Sequence, residues 1–261
     1  CVNAGSQLAS LAGLDGRTTR MDGLPDSGTV DLGFHFVTGT VDYYVSAGSG
    51  SDTNPGTSAG SAFKTITRAL SAIGHGSHVN VATGLYDVAN GETFPLDVRH
   101  RYGVQILGAG RDTTIVDANT ANQRCLGMSC NYPDANVRGL AFTRGRMTAG
   151  GSLGAGLYLA HMQGMGADCA MSNNVILTGG WGAPGGAGLA GALCDAVVSN
   201  CVVQGNTAQS WYAESCQAAG IWAYNLGAII NCEIVSNTAY STGDGSWHPS
   251  SYGGGLYLSG N

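Results

Sequence analysis

Paired carboxylates, paired imidazoles and a row of tryptophans are the side chains of this 261-residue sequence whose types and spacing suggest chemistry. The glutamates are Glu92, Glu214 and Glu233, and the repeated part of the chain adds Asp112, Asp117, Asp134, Asp168, Asp195 and Asp244. Asp168 and Asp195 fall in successive copies of a repeat. That would set them about 5–10 Å apart, a range in which two carboxylates share acid–base work on a glycosidic bond. Asp52 and Asn54, in a turn-rich loop over 48–57, offer oxygen ligands for calcium. Asx turns are the plainer use of the same residues. His75 and His78 stand three apart with no third ligand nearby in sequence, and read as solvated loop residues. No nucleophile-elbow signature accompanies them.

The aromatic residues form a clearer pattern. Trp181, Trp211 and Trp247 each follow an Asn-led strand, at spacings of 30 and 36, with Tyr212, His248 and Tyr252 beside them. Stacked units would line them up as a lengthwise stripe for glycan rings or a lateral protein contact, since Trp and Tyr are enriched at interfaces. Alternatively, each Trp folds over its own coil edge.

Eight cysteines with Lys64 as the one lysine suggest an oxidising, extracellular or cell-surface setting. Cys201 and Cys232 should lie one rung apart, about 4.8 Å along the axis. Cys169 and Cys194 fall roughly opposite each other, and Cys125 with Cys130 would close a local loop. These six are the disulfide candidates, and a ladder of buried free thiols is the alternative. No cysteine set has zinc-finger spacing, so neither a metal nor another cofactor is expected beyond the calcium option.

Net charge is −6 with 11% charged residues, and no basic stripe exists, which argues against nucleic acid or anionic membranes as partners. Apolar runs near 186–203 are broken by Asp195 and Asn200, so no transmembrane segment is expected. The chain opens at Cys1 with no signal peptide. This reads as a mature or excised segment, with a lipidated N-terminal cysteine as the other option.

The elements that must position these residues recur. Small-residue runs enter apolar strands at Gly156, Gly188, Gly220 and Gly255, which are 32, 32 and 35 residues apart. An Asn before β-branched residues recurs at Asn174, Asn200 and Asn231. Strand-rich units at such a period cannot bury their own apolar faces and must stack, which predicts an all-β parallel β-helix solenoid. Asn174, Asn200 and Asn231 are expected to form an internal ladder, with Asn206 and Asn237 building a second one at the following turn. Phe63, Ile66, Leu70 and Ile73 make one apolar stripe. That predicts a single helix over about 61–73, capped by Ser61 and Gly74, as a lid on the first coil.

Tyr43-Tyr44-Val45-Ser46 with Gly50-Ser51-Asp52, Phe63-Lys64-Thr65-Ile66, Gly84-Leu85-Tyr86, Phe94-Pro95-Leu96 and Leu107-Gly108-Ala109-Gly110 resemble the opening of secreted right-handed parallel β-helix proteins of the pectin-lyase-like type. The Gly-Gly-x-Leu and Asn-rich units resemble repeats of polymorphic outer-membrane and other bacterial surface β-helices. The resemblance covers about residues 41–261 and implies a right-handed solenoid. Residues 1–36 resemble the closing segment of such proteins. The organisation is therefore read as a closing segment over 1–40 and a β-helix over 41–261 with an incomplete last coil. Enzymes of this architecture carry calcium-binding acids with an Arg or Lys base, or a paired-acid motif, and neither repeats here. Gly74-His75-Gly76 matches the Gly-His-Gly of polygalacturonase-like enzymes in letters only. The expectation is a non-catalytic structural or surface protein that self-associates end to end through its β-helix ends. The alternatives are a carbohydrate-active lyase, hydrolase or glycan-binding β-helix, and an adhesin passenger.

Overall fold

The computed structural model describes residues 17–18, 29, 36–37, 41–129, 135–179, 183–211, 216–242 and 251–260. The chain winds as a parallel β-solenoid of about five turns. A first face stacks Asp42–Val45, His78–Val81, Gln105–Gly108, Ala135–Arg138, Gly164–Ala167, Val197–Ser199 and Ala228–Ile230. A second stacks Gly84–Asp87, Thr114–Asp117, Ala141–Thr143, Ala170–Ser172, Val202–Gln204 and Glu233–Val235. A third, starting later, stacks Arg146–Met147, Val175–Thr178, Thr207–Ser210 and Thr238–Ser241. The fourth stacks Leu96–Arg99, Leu126–Ser129, Leu157–Ala160, Leu189–Ala192, Ile221–Tyr224 and Leu256–Ser259. Arg17–Thr18 pairs antiparallel with Phe36–Val37 as a separate two-stranded sheet.

Alternation decides what fills the bore. On the fourth face, Leu126, Leu157, Leu189 and Ile221 stack in register and are buried. On the second, Val116, Phe142, Met171 and Val203 do the same. The faces meet at tight corners, each made by a residue in the left-handed conformation. One corner row is Gly139, Asp168, Asn200 and Asn231; another is His161, Leu193, Asn225 and Gly260. Short polar side chains and glycine reach that conformation at least cost, which explains much of the Asn and Gly content.

The polar ladder inside the bore runs through Asn174, Asn206 and Asn237. Asn206 Oδ1 accepts from the Asn174 backbone N–H at 2.9 Å and from Asn174 Nδ2 at 3.0 Å. Asn237 Oδ1 accepts from the Asn206 N–H at 3.0 Å and from Asn206 Nδ2 at 2.9 Å. Each amide also donates to a carbonyl across the coil, of Phe142, Met171 and Val203 respectively. This corrects the expected membership, because Asn200 and Asn231 are exposed corner residues instead. The repeat glycines face the true ladder. A Cβ on Gly156, Gly188 or Gly220 would come within 2.7, 2.8 and 2.9 Å of the Nδ2 of Asn174, Asn206 and Asn237. The two halves of the sequence repeat therefore pack against each other.

Among the described residues the single α-helix, α1, spans Ile66–Ala72, with a 3-10 turn at Ala59–Ser61 before it. It is shorter than the apolar stripe predicted, because Phe63 leaves the helix to bridge Val45 and fill the core. Thr65, not Ser61, is the N-cap: its Oγ1 accepts from the Arg68 N–H at 3.0 Å. Ile73, in extended backbone, stands at the C-cap in place of Gly74. Ile66 and Ala69 turn into the core, so the helix lies on the first coil as a lid.

Candidate functional site

Along the corner between the first two faces runs a surface groove made of two adjoining hollows, of about 490 and 340 Å³, which share Leu107, Gly108 and Ala109. A Cβ on Gly108 would come within 2.2 Å of the Gly139 carbonyl, so the floor is flat by necessity. Arg111, Arg138 and Asp168 line its far end. Arg138 Nε meets Asp168 Oδ2 at 2.8 Å, and Arg111 donates to the Asn200 carbonyl at 2.5 Å. Asp168 is thus held by a guanidinium at the groove's end.

The expected acid pair does not come together. Strand register places Met165 beside Val197, so Asp168 stacks over the Asn200 position. Asp195 lies at the opposite end of its strand row, where its Oδ2 accepts from Gln163 Nε2 at 3.4 Å. The spacing of 27 between the two aspartates differs from the structural period near 32, and that difference separates them. Register instead stacks Asp87 on Asp117, a pair the sequence reading missed. Repetition of Gly84-x-x-Asp87 as Thr114-x-x-Asp117 was the available signal. Both are spoken for: Asp117 is buried and accepts from Arg144 Nε and Nη2, and Asp87 accepts from the N–H and Nδ2 of Asn90. The bond to Asp117 raises the Arg144 pKa above its ordinary value.

Two other acids organise the lid. Asp52 accepts from the Lys64 and Thr65 backbone N–H groups and from Thr65 Oγ1, each at 2.9 Å, and Asn54 Nδ2 donates to the Ala62 carbonyl at 2.9 Å. These are turn and cap roles, with the Asp52 oxygens turned to protein donors. Glu92, buried, accepts from the Ile66 N–H at 2.6 Å, the Thr67 N–H at 2.9 Å and Thr67 Oγ1 at 2.6 Å. Together the two carboxylates satisfy the donors a helix start leaves unpaired. Burial pushes the Glu92 carboxyl above its usual range, and the bonds from Thr67 and Ile66 pull it back.

His75 and His78 take separate partners. His75 Nδ1 accepts from the Tyr102 N–H at 3.0 Å, and its ring stacks on Tyr102 at 4.7 Å. Burial, then Arg101, lowers its pKa. His78 Nδ1 lies 3.1 Å from Asp42 Oδ1. Among the described residues, no group of three or more His, Cys, Asp and Glu is placed to hold a metal.

Cys125, Cys169, Cys194, Cys201, Cys216 and Cys232 are all free thiols, in place of the expected disulfides; Cys1 and Cys130 lie outside the described residues. Register stacks Cys169, Cys201 and Cys232 in one column at adjacent rungs. Cys194 belongs to another row, two residues beyond the pairing of Ala160 with Ala192. Burial pushes the Cys125 thiol up to about 12 and Cys216 up to about 11.

Of the predicted aromatic stripe, Trp211 and Tyr252 are exposed, while Trp181, Tyr212 and Trp247 lie outside the described residues. A second set of rings points outward from the fourth face: Tyr158, Trp222, Tyr224 and Tyr257. Strand alternation places them there, and the sequence reading had absorbed them into the repeat without assigning them a role.

The first and last described rungs differ in cover. α1 covers the first coil. At the other end, Leu256 and Leu258 continue the inward columns of Ile221 and Ala223. Those predecessors are 0% and 1% exposed, whereas Leu256 is 38% and Leu258 63% exposed. The Ile221 N–H donates to the Gly255 carbonyl at 2.8 Å; Leu256, the next residue in that column, has no described rung beyond it to receive its own N–H.

A family described as a protein of unknown function, DUF1565, matches residues 48–125, the stretch holding α1 and the first coils. No curated protein matches the chain. Among solved structures it is similar to a pectin methylesterase from Erwinia chrysanthemi (13% identity, covering 74% of this chain and 67% of that one, TM-score 0.39). It is also similar to a rhamnogalacturonan lyase (15%, 85% and 62%, TM-score 0.40) and to a pectin methylesterase from carrot (12%, 84% and 82%, TM-score 0.37). The chain thus spans about 62% of the lyase's length. No helix among the described residues is long and apolar enough to cross a membrane.

Proposed function

We propose that this chain is an extracellular structural module, non-catalytic, whose β-helix is lengthened end to end by a second copy. What supports the reading is the in-register stacking of parallel rungs, in which each rung pairs its backbone with the next, as the Ile221 N–H does with the Gly255 carbonyl at 2.8 Å, so that a rung from another copy can be added through the same kind of bonds. The proposed occupant is the 1–36 segment of the neighbouring copy, which resembles a β-helix closing segment. Deleting residues 1–36, or introducing Leu258→Glu, should convert long assemblies in light scattering and negative-stain micrographs into single rods. Fibres that survive both changes would refute the reading.

The groove beside Arg111 and Arg138 favours a second reading, a carbohydrate-active β-helix. Incubation with acidic polysaccharides, with and without calcium, tests it: new reducing ends or unsaturated products would establish the activity and displace the structural reading.

A further inference from the structure

We propose that the stacked thiols of Cys201 and Cys232 form a two-coordinate site for a soft monovalent cation, Cu(I), held in line between the two sulfurs. Register puts Cys169, Cys201 and Cys232 in one column, directly after the left-handed corner residues Asp168, Asn200 and Asn231. The three side chains share one arrangement. Each Sγ lies against the carbonyl two residues before it: Ala167 at 3.1 Å, Ser199 at 3.2 Å and Ile230 at 3.4 Å. Each also faces a carbonyl of the preceding rung: Val137 at 3.8 Å, Gly166 at 3.6 Å and Val198 at 3.7 Å. With the same contacts at every rung, the sulfurs recur at the rung spacing of about 4.8 Å.

That spacing selects the ion. Two metal–thiolate bonds of about 2.3 Å laid end to end span about 4.6 Å, close to one rung. The sulfurs of Cys169 and Cys232 are two rungs apart, so all three cannot converge on one ion. A tetrahedral Zn²⁺ therefore finds too few ligands, whereas Cu(I) is a soft ion that thiolates favour and accepts two of them in line. Cys169 and Cys201 are buried, while Cys232 is half-buried and gives the ion a way in. Two thiolates on a monovalent cation carry one net negative charge. Arg111 stands ready to balance it, donating to the carbonyl of Asn200, the residue before Cys201, at 2.5 Å. In the metal-free protein the Cys169 thiol and burial raise the Cys201 pKa, and Arg111 works against them. Binding forms two sulfur–metal bonds and releases two protons to solvent, with no change of oxidation state.

The reduced protein is titrated under nitrogen with Cu(I) against the chromogenic chelator bathocuproine disulfonate. The parent should withdraw copper from the chelator, and an excess of Zn²⁺ should not displace it. Cys201→Ser and Cys232→Ser should each remove the same one equivalent, and the double variant no more than either. Cys194→Ser and Cys216→Ser, outside the column, should keep the parent's uptake. Should Cys201→Ser melt early by circular dichroism, the half-buried Cys232→Ser carries the test. No withdrawal by the parent, displacement by Zn²⁺, full uptake by Cys232→Ser, or a loss of two equivalents in the double variant would overturn the proposal.

Discussion

Replacing Asn206 by Ala tests the internal ladder at its middle member. The side chain is fully buried and makes four hydrogen bonds: two accepted from Asn174, and two donated to the Met171 carbonyl and Asn237 Oδ1. Truncation leaves the Asn174 N–H and one Asn174 amide proton without their acceptor in a dry interior. Asn237 Oδ1 keeps the Asn206 backbone N–H. Each orphaned buried group costs about 1–3 kcal/mol, so the two together predict a loss of about 2–6 kcal/mol. Asn200→Ala is the matched control. Asn200 is an exposed left-handed corner with φ 51°, and placing Ala there costs about 1 kcal/mol of backbone strain. Guanidinium chloride unfolding followed by circular dichroism measures both, provided the m-value is unchanged. Asn206→Ala should fall well below Asn200→Ala. Equal losses, or a larger loss for Asn200→Ala, would show that the ladder contributes little and that corner geometry dominates.

Further outcomes follow from the lid and the thiols. Because burial raises the Glu92 pKa, the folded state holds a proton that the unfolded state has released between the usual 4.5 and the raised value. Stability therefore falls as pH rises through that window, and Glu92→Gln should flatten this part of the stability–pH curve; an unchanged slope would contradict it. Asp52→Ala removes the acceptor for Lys64, Thr65 and the Thr65 hydroxyl, and should speed amide exchange in Ile66–Ala72 by local opening of about 1–3 kcal/mol, leaving the later coils protected. Ellman's reagent followed by peptide mapping should spare Cys125, Cys169, Cys201 and Cys216 in the folded protein, because these thiols are buried; rapid labelling of any of them would contradict the packing.

Much of the solenoid was legible in the sequence because its signals are periodic. The glycines at 156, 188, 220 and 255 mark the fourth face, and the first three recur because a larger residue would strike the asparagine amides or the next coil's backbone. Which asparagines those are was misread. Asn174 and Asn200 both precede β-branched residues, so local resemblance paired them, but the glycine period of 32 leads from Asn174 to Asn206. The same slip set Asp195 opposite Asp168. Single-residue left-handed corners leave only a faint trace, since Asp, Asn, Leu, His and Gly all occupy them. The helix was overextended because Phe63 has helical spacing yet serves the core from an extended segment. The aromatic face escaped notice because its rings lie within the repeat strands at Tyr158, Trp222 and Tyr257, where the repeat pattern alone accounts for an apolar residue.

End-to-end growth is tested most directly by hydrogen–deuterium exchange over Leu256–Ser259 as protein concentration is raised. Strand addition predicts that the Leu256 and Leu258 amides become more protected as assemblies form, in step with the scattering signal. Exchange at these two amides that stays fast in the concentrated, assembled protein would contradict it.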